Sequence, residues 1–146
     1  MSYIAWNASK ELGHGVIDRE HREIVELLNR LVEILFDREA DDDALPAVRK
    51  GQVAEAVDAL GRATAAHFAS EDAIMLAVDY PGAAEHRRQH AELLAQYEDF
   101  AVHFRSPQGG SVALALRFLR EWFEYHVEHY DAPLVVWLRE QNGFRS

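Results

Sequence analysis

The chain of 146 residues contains no cysteine. That single absence excludes disulfides, thiolate zinc sites, iron–sulfur clusters and cysteine nucleophiles. Any metal must therefore be held by nitrogen and oxygen. Basic charge is also scarce: 15 Lys and Arg stand against 25 Asp and Glu, for a formal net charge of −10. The basic residues are scattered, whereas neutralising phosphates requires them in clusters, so no nucleic-acid partner is expected. The longest uncharged apolar runs fall well short of the roughly 20 residues that span a bilayer, so no membrane segment is expected. The N-terminus, Met1-Ser2-Tyr3-Ile4-Ala5-Trp6, lacks a basic stretch followed by an apolar one. Nothing there reads as a signal peptide, and the cytoplasm is the expected compartment. Strand-type alternation is missing as well.

What remains is a composition that is 49% apolar, enough for one core, and a length that suits a single domain over residues 1–146. The apolar residues recur at helical steps. After an N-terminal arm (residues 1–17), Asp18 offers an N-cap, and Ile17, His21, Ile24, Leu28, Leu31 and Leu35 alternate steps of four and three. Residues 37–45 form an acidic loop, and Pro46 suits the first turn of a second helix. The stripe of that helix reads Val53, Val57, Leu60, Thr64, His67, Glu71, Ile74 or Met75, and Val78. Asp79-Tyr80-Pro81-Gly82 ends it. A third stripe carries His86, His90, Leu93 or Leu94, Tyr97, Phe100 or Ala101, and Phe104. After Ser106-Pro107-Gln108-Gly109-Gly110, Ser111 can cap a fourth helix with Val112, Leu116, Leu119, Phe123 and His126 inward. The tail (132–146) reads as a short C-terminal helix. Short connections favour an all-α, up-down-up-down four-helix bundle (18–131).

The polar residues on these stripes carry the chemistry. His21, His67, Glu71, His86, His90 and His126 all occupy positions that periodicity assigns to the core. A polar group buried without a partner costs about 1–3 kcal/mol, so this core needs something to satisfy it, and a bound cation would do so. His67 and Glu71, and likewise His86 and His90, are spaced i and i+4, which places neighbouring side chains over one point. In an antiparallel bundle His21, near the start of the first helix, meets the end of the second, the start of the third and the end of the fourth. All six residues then share one end. Asp131 lies five residues past His126, about 140° round an ideal helix. A local π-turn or fraying before Pro133 would be needed to bring it inward. Glu128 and His129 are its rivals. His14, His103 and His129 fall in a loop or off the stripes and are read as non-ligands.

These residues resemble a known family. The segment Gly15-Val16-Ile17-Asp18-Arg19-Glu20-His21, then His67-Phe68-Ala69-Ser70-Glu71, Tyr80-Pro81 followed by His86 and His90, and Trp122 to His126 with Asp131, are similar to the single-domain bacterial hemerythrins. The likeness runs from Trp6 to the end of the fourth helix. It implies two iron ions (Fe2+/Fe3+) joined by an oxo or hydroxo bridge. His86, His90 and His126 would hold one iron and His21 and His67 the other, with Glu71 and Asp131 bridging. Counting ligands leaves the two-histidine iron one position short, and dioxygen would bind there reversibly, for storage, transport or delivery. Phe123 stands where a smaller aliphatic residue is common in the family, and its ring would narrow the oxygen pocket.

The rival chemistries fit less well. A ferritin-type oxidase would be richer in carboxylates and carry Glu-x-x-His on two helices. Catalytic zinc needs only three protein ligands, and no HExxH motif occurs. The resemblance implies an oxygen-binding protein rather than an enzyme, with oxygen sensing through a partner, or peroxide or nitric oxide reduction, as alternatives. The expected assembly is a monomer or weak homo-oligomer.

Overall fold

The computed structural model describes residues 10–36, 47–105 and 112–143. Among these residues the regular structure is helical throughout: α1 Gly15–Phe36, α2 Ala47–Val78, α3 Ala83–Arg105, α4 Val112–His126, a π-turn Val127–Asp131 and α5 Ala132–Gly143. The all-α bundle read from periodicity is the observed architecture, and the tail forms the extra helix α5. Packing of α1 on α2, α2 on α3 and α1 on α4 closes it. No helix among the described residues is long and apolar enough to cross a membrane. The acidic loop at 37–45, Pro46, the breaker at 106–110 and the Ser111 cap lie outside the described residues.

One boundary departs from the sequence reading. The first helix begins at Gly15, so Asp18 sits inside its first turn instead of capping it. His14 takes the cap: its Nδ1 accepts the N–H of Ile17 at 3.3 Å, three residues into the helix. The buried Asp18 carboxylate turns back instead, accepting the N–H groups of Leu12 (2.8 Å), Gly13 (2.9 Å) and His14 (3.1 Å). An acid with a cluster of N–H groups upstream is better satisfied by them than by its own helix.

The α2–α3 connection decides which residues meet. Asp79 adopts a positive φ of 55°, the Tyr80 N–H donates to the Met75 carbonyl at 3.0 Å, and the Asp79 N–H donates to Leu76 at 3.3 Å. This paired bonding is a Schellman stop, which satisfies the last carbonyls of α2 and reverses the chain at once. The end of α2 therefore lies beside the start of α3. Farther along, a Cβ at Gly61 would stand 2.9 Å from the Tyr97 ring, so glycine permits the close approach in which the Tyr97 hydroxyl donates to the Val57 carbonyl at 2.6 Å.

The core falls into two apolar clusters. The larger includes Ile24, Leu28, Leu60, Phe68, Leu93, Leu119, Trp122 and Phe123. The smaller, at the other side of His21 along α1, is built from Ile17, Met75, Leu134, Val135 and Leu138. Ile17 and Ile24 lie about one turn before and one turn after His21 on α1, so a polar layer is sealed between two dry ones.

Candidate metal centre

Within that layer the structure brings together all seven residues named from the sequence. His21, His67, Glu71, His86, His90, His126 and Asp131 are each at most 3% exposed. Asp131 arrives through the π-turn, whose wider turn returns it to the face of His126. The rivals stay outside: Glu128 and His129 are exposed, and the His129 Nδ1–H donates to the Tyr125 carbonyl at 3.0 Å. His14 is occupied as a helix cap, and the His103 side chain lies outside the described residues.

The two carboxylates divide their oxygens between two groups of imidazoles. Asp131 Oδ1 lies 3.0 Å from His86 Nε2 and 2.9 Å from His126 Nε2, while its Oδ2 lies 2.8 Å from His21 Nε2 and 3.7 Å from His67 Nε2. Glu71 Oε1 lies 3.0 Å from His90 Nε2, 3.4 Å from His86 and 3.8 Å from His126, and its Oε2 lies 3.5 Å from His67. Glu71 Oε1 faces His86, His90 and His126, and Asp131 Oδ1 faces two of the same three; the second oxygen of each acid faces His67, and that of Asp131 also His21. Both carboxylates thus belong to each of two clusters of converging donor atoms.

Such an array fits a pair of cations. A neutral imidazole presents a lone pair at Nε2 when Nδ1 carries the proton, and a carboxylate presents only lone pairs. Lone pairs held about 3 Å apart without water repel unless protons or metal ions stand between them. His67 Nε2, Glu71 Oε2 and His126 Nε2 are buried without a hydrogen-bond partner among the described residues, and each belongs to this array. The set of N and O donors, with no sulfur, suits iron.

Comparison with known proteins agrees. The profile of the hemerythrin HHE cation-binding domain matches residues 12–138. The chain belongs to the hemerythrin family. The bacteriohemerythrin of Ralstonia nicotianae is 31% identical over 144 residues, covering 97% of this chain and 93% of the relative. That of Stenotrophomonas maltophilia is 28% identical over 132 residues, 90% of this chain and 78% of the relative. A crystal structure of wild-type hemerythrin, 23% identical, shares the fold with a TM-score of 0.72 over 90% of this chain and 94% of its own.

Around this hemerythrin layer stand two carboxylates that sequence reasoning missed. The His67 Nδ1–H donates to Glu20 Oε1 at 2.8 Å, and the second oxygen of Glu20 accepts the Ser70 hydroxyl at 2.8 Å. The His90 Nδ1–H donates to Asp72 Oδ1 at 2.9 Å. These bonds fix which nitrogen of each ring carries the proton and leave Nε2 aimed inward. A legible signal existed, since each acid is the chain neighbour of an inward residue, Glu20 of His21 and Asp72 of Glu71. Outer partners of this kind are worth about 10–100-fold in metal affinity. Glu20→Ala is accordingly expected to weaken metal binding by about that factor, measured by competition with a chelator. Unchanged competition would remove Glu20 from the site.

Protonation follows the same geometry. Burial disfavours charge on His67 and His86, yet the neighbouring Asp131 and Glu71 prevail and push both up to about 9. His126 is raised in the same way, against its burial, chiefly by the charge of Asp131. Burial and the charge of Asp131 would raise Glu71, but the surrounding imidazoles hold it down to about 2. Asp131 lies well below the usual carboxylate range despite complete burial, held there first by His126. Protons thus fill the role of cations in the metal-free protein. The histidine contribution to its stability is complete below about pH 6.5 and lost as pH rises through about 9, because the folded values lie above the unfolded ones. The carboxylate contribution, with folded values depressed, is present above about pH 4.5 and lost on acidification. The melting temperature of the metal-free protein is therefore expected to fall between pH 6.5 and 9. Over the same interval metal affinity should rise, since loading releases those protons. Calorimetry across pH checks the first, and a flat profile would contradict it.

Proposed function

We propose that this hemerythrin binds dioxygen reversibly at a pair of iron ions. His86, His90 and His126 would hold one iron, His21 and His67 the other, with Glu71 and Asp131 shared between them. Supporting this reading is the asymmetry of three histidines against two, together with the position of a cavity of about 10 Å³, roughly one water in size. Its walls include His21, His67, His126 and Asp131, together with Thr64 and apolar side chains such as Trp122 and Phe123. Both histidines of the group with fewer donors line that space, but only His126 of the other three does.

When bound, the iron pair would supply the electrons that dioxygen takes up on binding and returns on release. The protein's own part is to hold the donors and exclude water. Ile24, Phe68 and Leu93 cover the layer, and Trp122 is fixed by donating its indole N–H to the Leu93 carbonyl at 3.2 Å. A dry wall of this kind hinders the proton delivery that would make binding irreversible.

The test is spectroscopic. Iron-reconstituted, reduced protein should gain a visible ligand-to-iron charge-transfer band in air and lose it on deoxygenation. Far fewer than a pair of irons per chain, or a band that never reverses, would overturn the reading.

A further inference from the structure

The cavity beside His21 and His67 holds one polar side chain that the oxygen-binding reading does not use. Thr64 is 1% exposed and lines the cavity, and its Oγ1 has no hydrogen-bond partner among the described residues. It stands one turn before His67 on the same face of α2. A threonine inside a helix ordinarily turns its hydroxyl to the carbonyl four residues back, here that of Leu60, and this one does not. The other polar group in the apolar wall, the Trp122 indole N–H, is already committed to Leu93. Valine would match the shape of Thr64 without burying an unpaired hydroxyl, so its oxygen is satisfied only by something placed in the cavity.

We infer that the Thr64 hydroxyl donates a hydrogen bond to the small ligand occupying this cavity, and so favours ligands that carry a free acceptor atom, such as dioxygen or a small linear anion. The inference rests on the reading that ligands enter beside His21 and His67. It makes Thr64 a specificity-determining residue. Thr64, one turn from His67, carries the only hydroxyl among the residues lining the cavity.

The test uses the full-length, iron-loaded, oxidised protein with azide as probe, comparing wild type, Thr64→Val and Thr64→Ser. Thr64→Val is expected to weaken azide binding about tenfold or more, as losing a hydrogen bond to a charged group does, while Thr64→Ser stays within about threefold. A second readout needs no iron: metal-free Thr64→Val should melt no lower than wild type, because the hydroxyl it loses has no internal partner. Equal azide affinity in Thr64→Val and wild type, or a clear drop in metal-free melting temperature, would overturn the inference and leave oxygen binding untouched. If the wild type itself holds little iron and shows no azide band, the oxygen-binding reading fails and this inference fails with it.

Discussion

Asp131→Asn is expected to empty the proposed di-iron centre, lowering bound iron to a small fraction of the wild-type content. The reason lies in how the carboxylate is divided, Oδ1 towards His86 and His126 and Oδ2 towards His21 and His67. An amide has one oxygen and one N–H2, and the N–H2 carries no lone pair for a cation. Whichever way the side chain turns, one of the two groups loses its oxygen donor and the other keeps only a neutral one. The substitution also leaves buried imidazoles facing a neutral group, and breaking a buried charge pair costs about 3–5 kcal/mol. Elemental analysis of purified protein gives the iron ratio, with Glu128→Gln, on the exposed side of the same turn, as the control. Full iron in Asp131→Asn would mean that this carboxylate is not shared.

Phe123→Ala is expected to have the largest effect on the fold and on ligand exchange together. The ring is 7% exposed and meets the His21 imidazole edge-on at 5.7 Å. Removing a buried phenyl costs about 3–5 kcal/mol, or about 10 °C in melting temperature for a chain of this size. It also enlarges a cavity of only about 10 Å³ next to His21 and His67. Water would then reach the layer, and the air-induced band should decay irreversibly by an order of magnitude or more faster, since each 1.4 kcal/mol of barrier is about tenfold in rate. Phe123→Leu separates the two effects, because it keeps most of the packing and still opens the cavity. Stopped-flow exchange measures the second; an unchanged rate in Phe123→Leu would show that the ring does not limit access.

How far the sequence discloses such a site depends on how each side chain is positioned. His21, His67, Glu71, His86, His90 and His126 lie on uninterrupted helices, so a period of about 3.6 residues carries them to the core face. Their common height follows from antiparallel packing alone. Asp131 breaks this rule because its place is set by a turn with a different period, which periodicity can suggest but not locate. The start of α1 departs from the capping pattern for a related reason: Asp18 has its partners upstream, at Leu12, Gly13 and His14, and a capping rule looks only downstream. Glu20 and Asp72 act across helix interfaces, where one residue's offset along the chain decides the partner. Thr64 was legible as core, yet only the geometry shows that its hydroxyl is unpaired.

The π-turn does more than deliver one ligand candidate. Counted from His126 on an unbroken helix, Leu134, Leu138 and Asp131 would stand about 80°, 120° and 140° away. One surplus residue rotates all that follows by about 100°, which brings the three within about 40° of the His126 face. They ride on one shaft and must swing in or out together. Leu134 is wholly buried and Leu138 nearly so, against Ile17 and Met75. Each such leucine favours burial by about 1.5–3 kcal/mol, a torque that seats the Asp131 charge before any cation arrives. Loosening the oily end of the bundle would therefore release a carboxylate that lies in the layer above it.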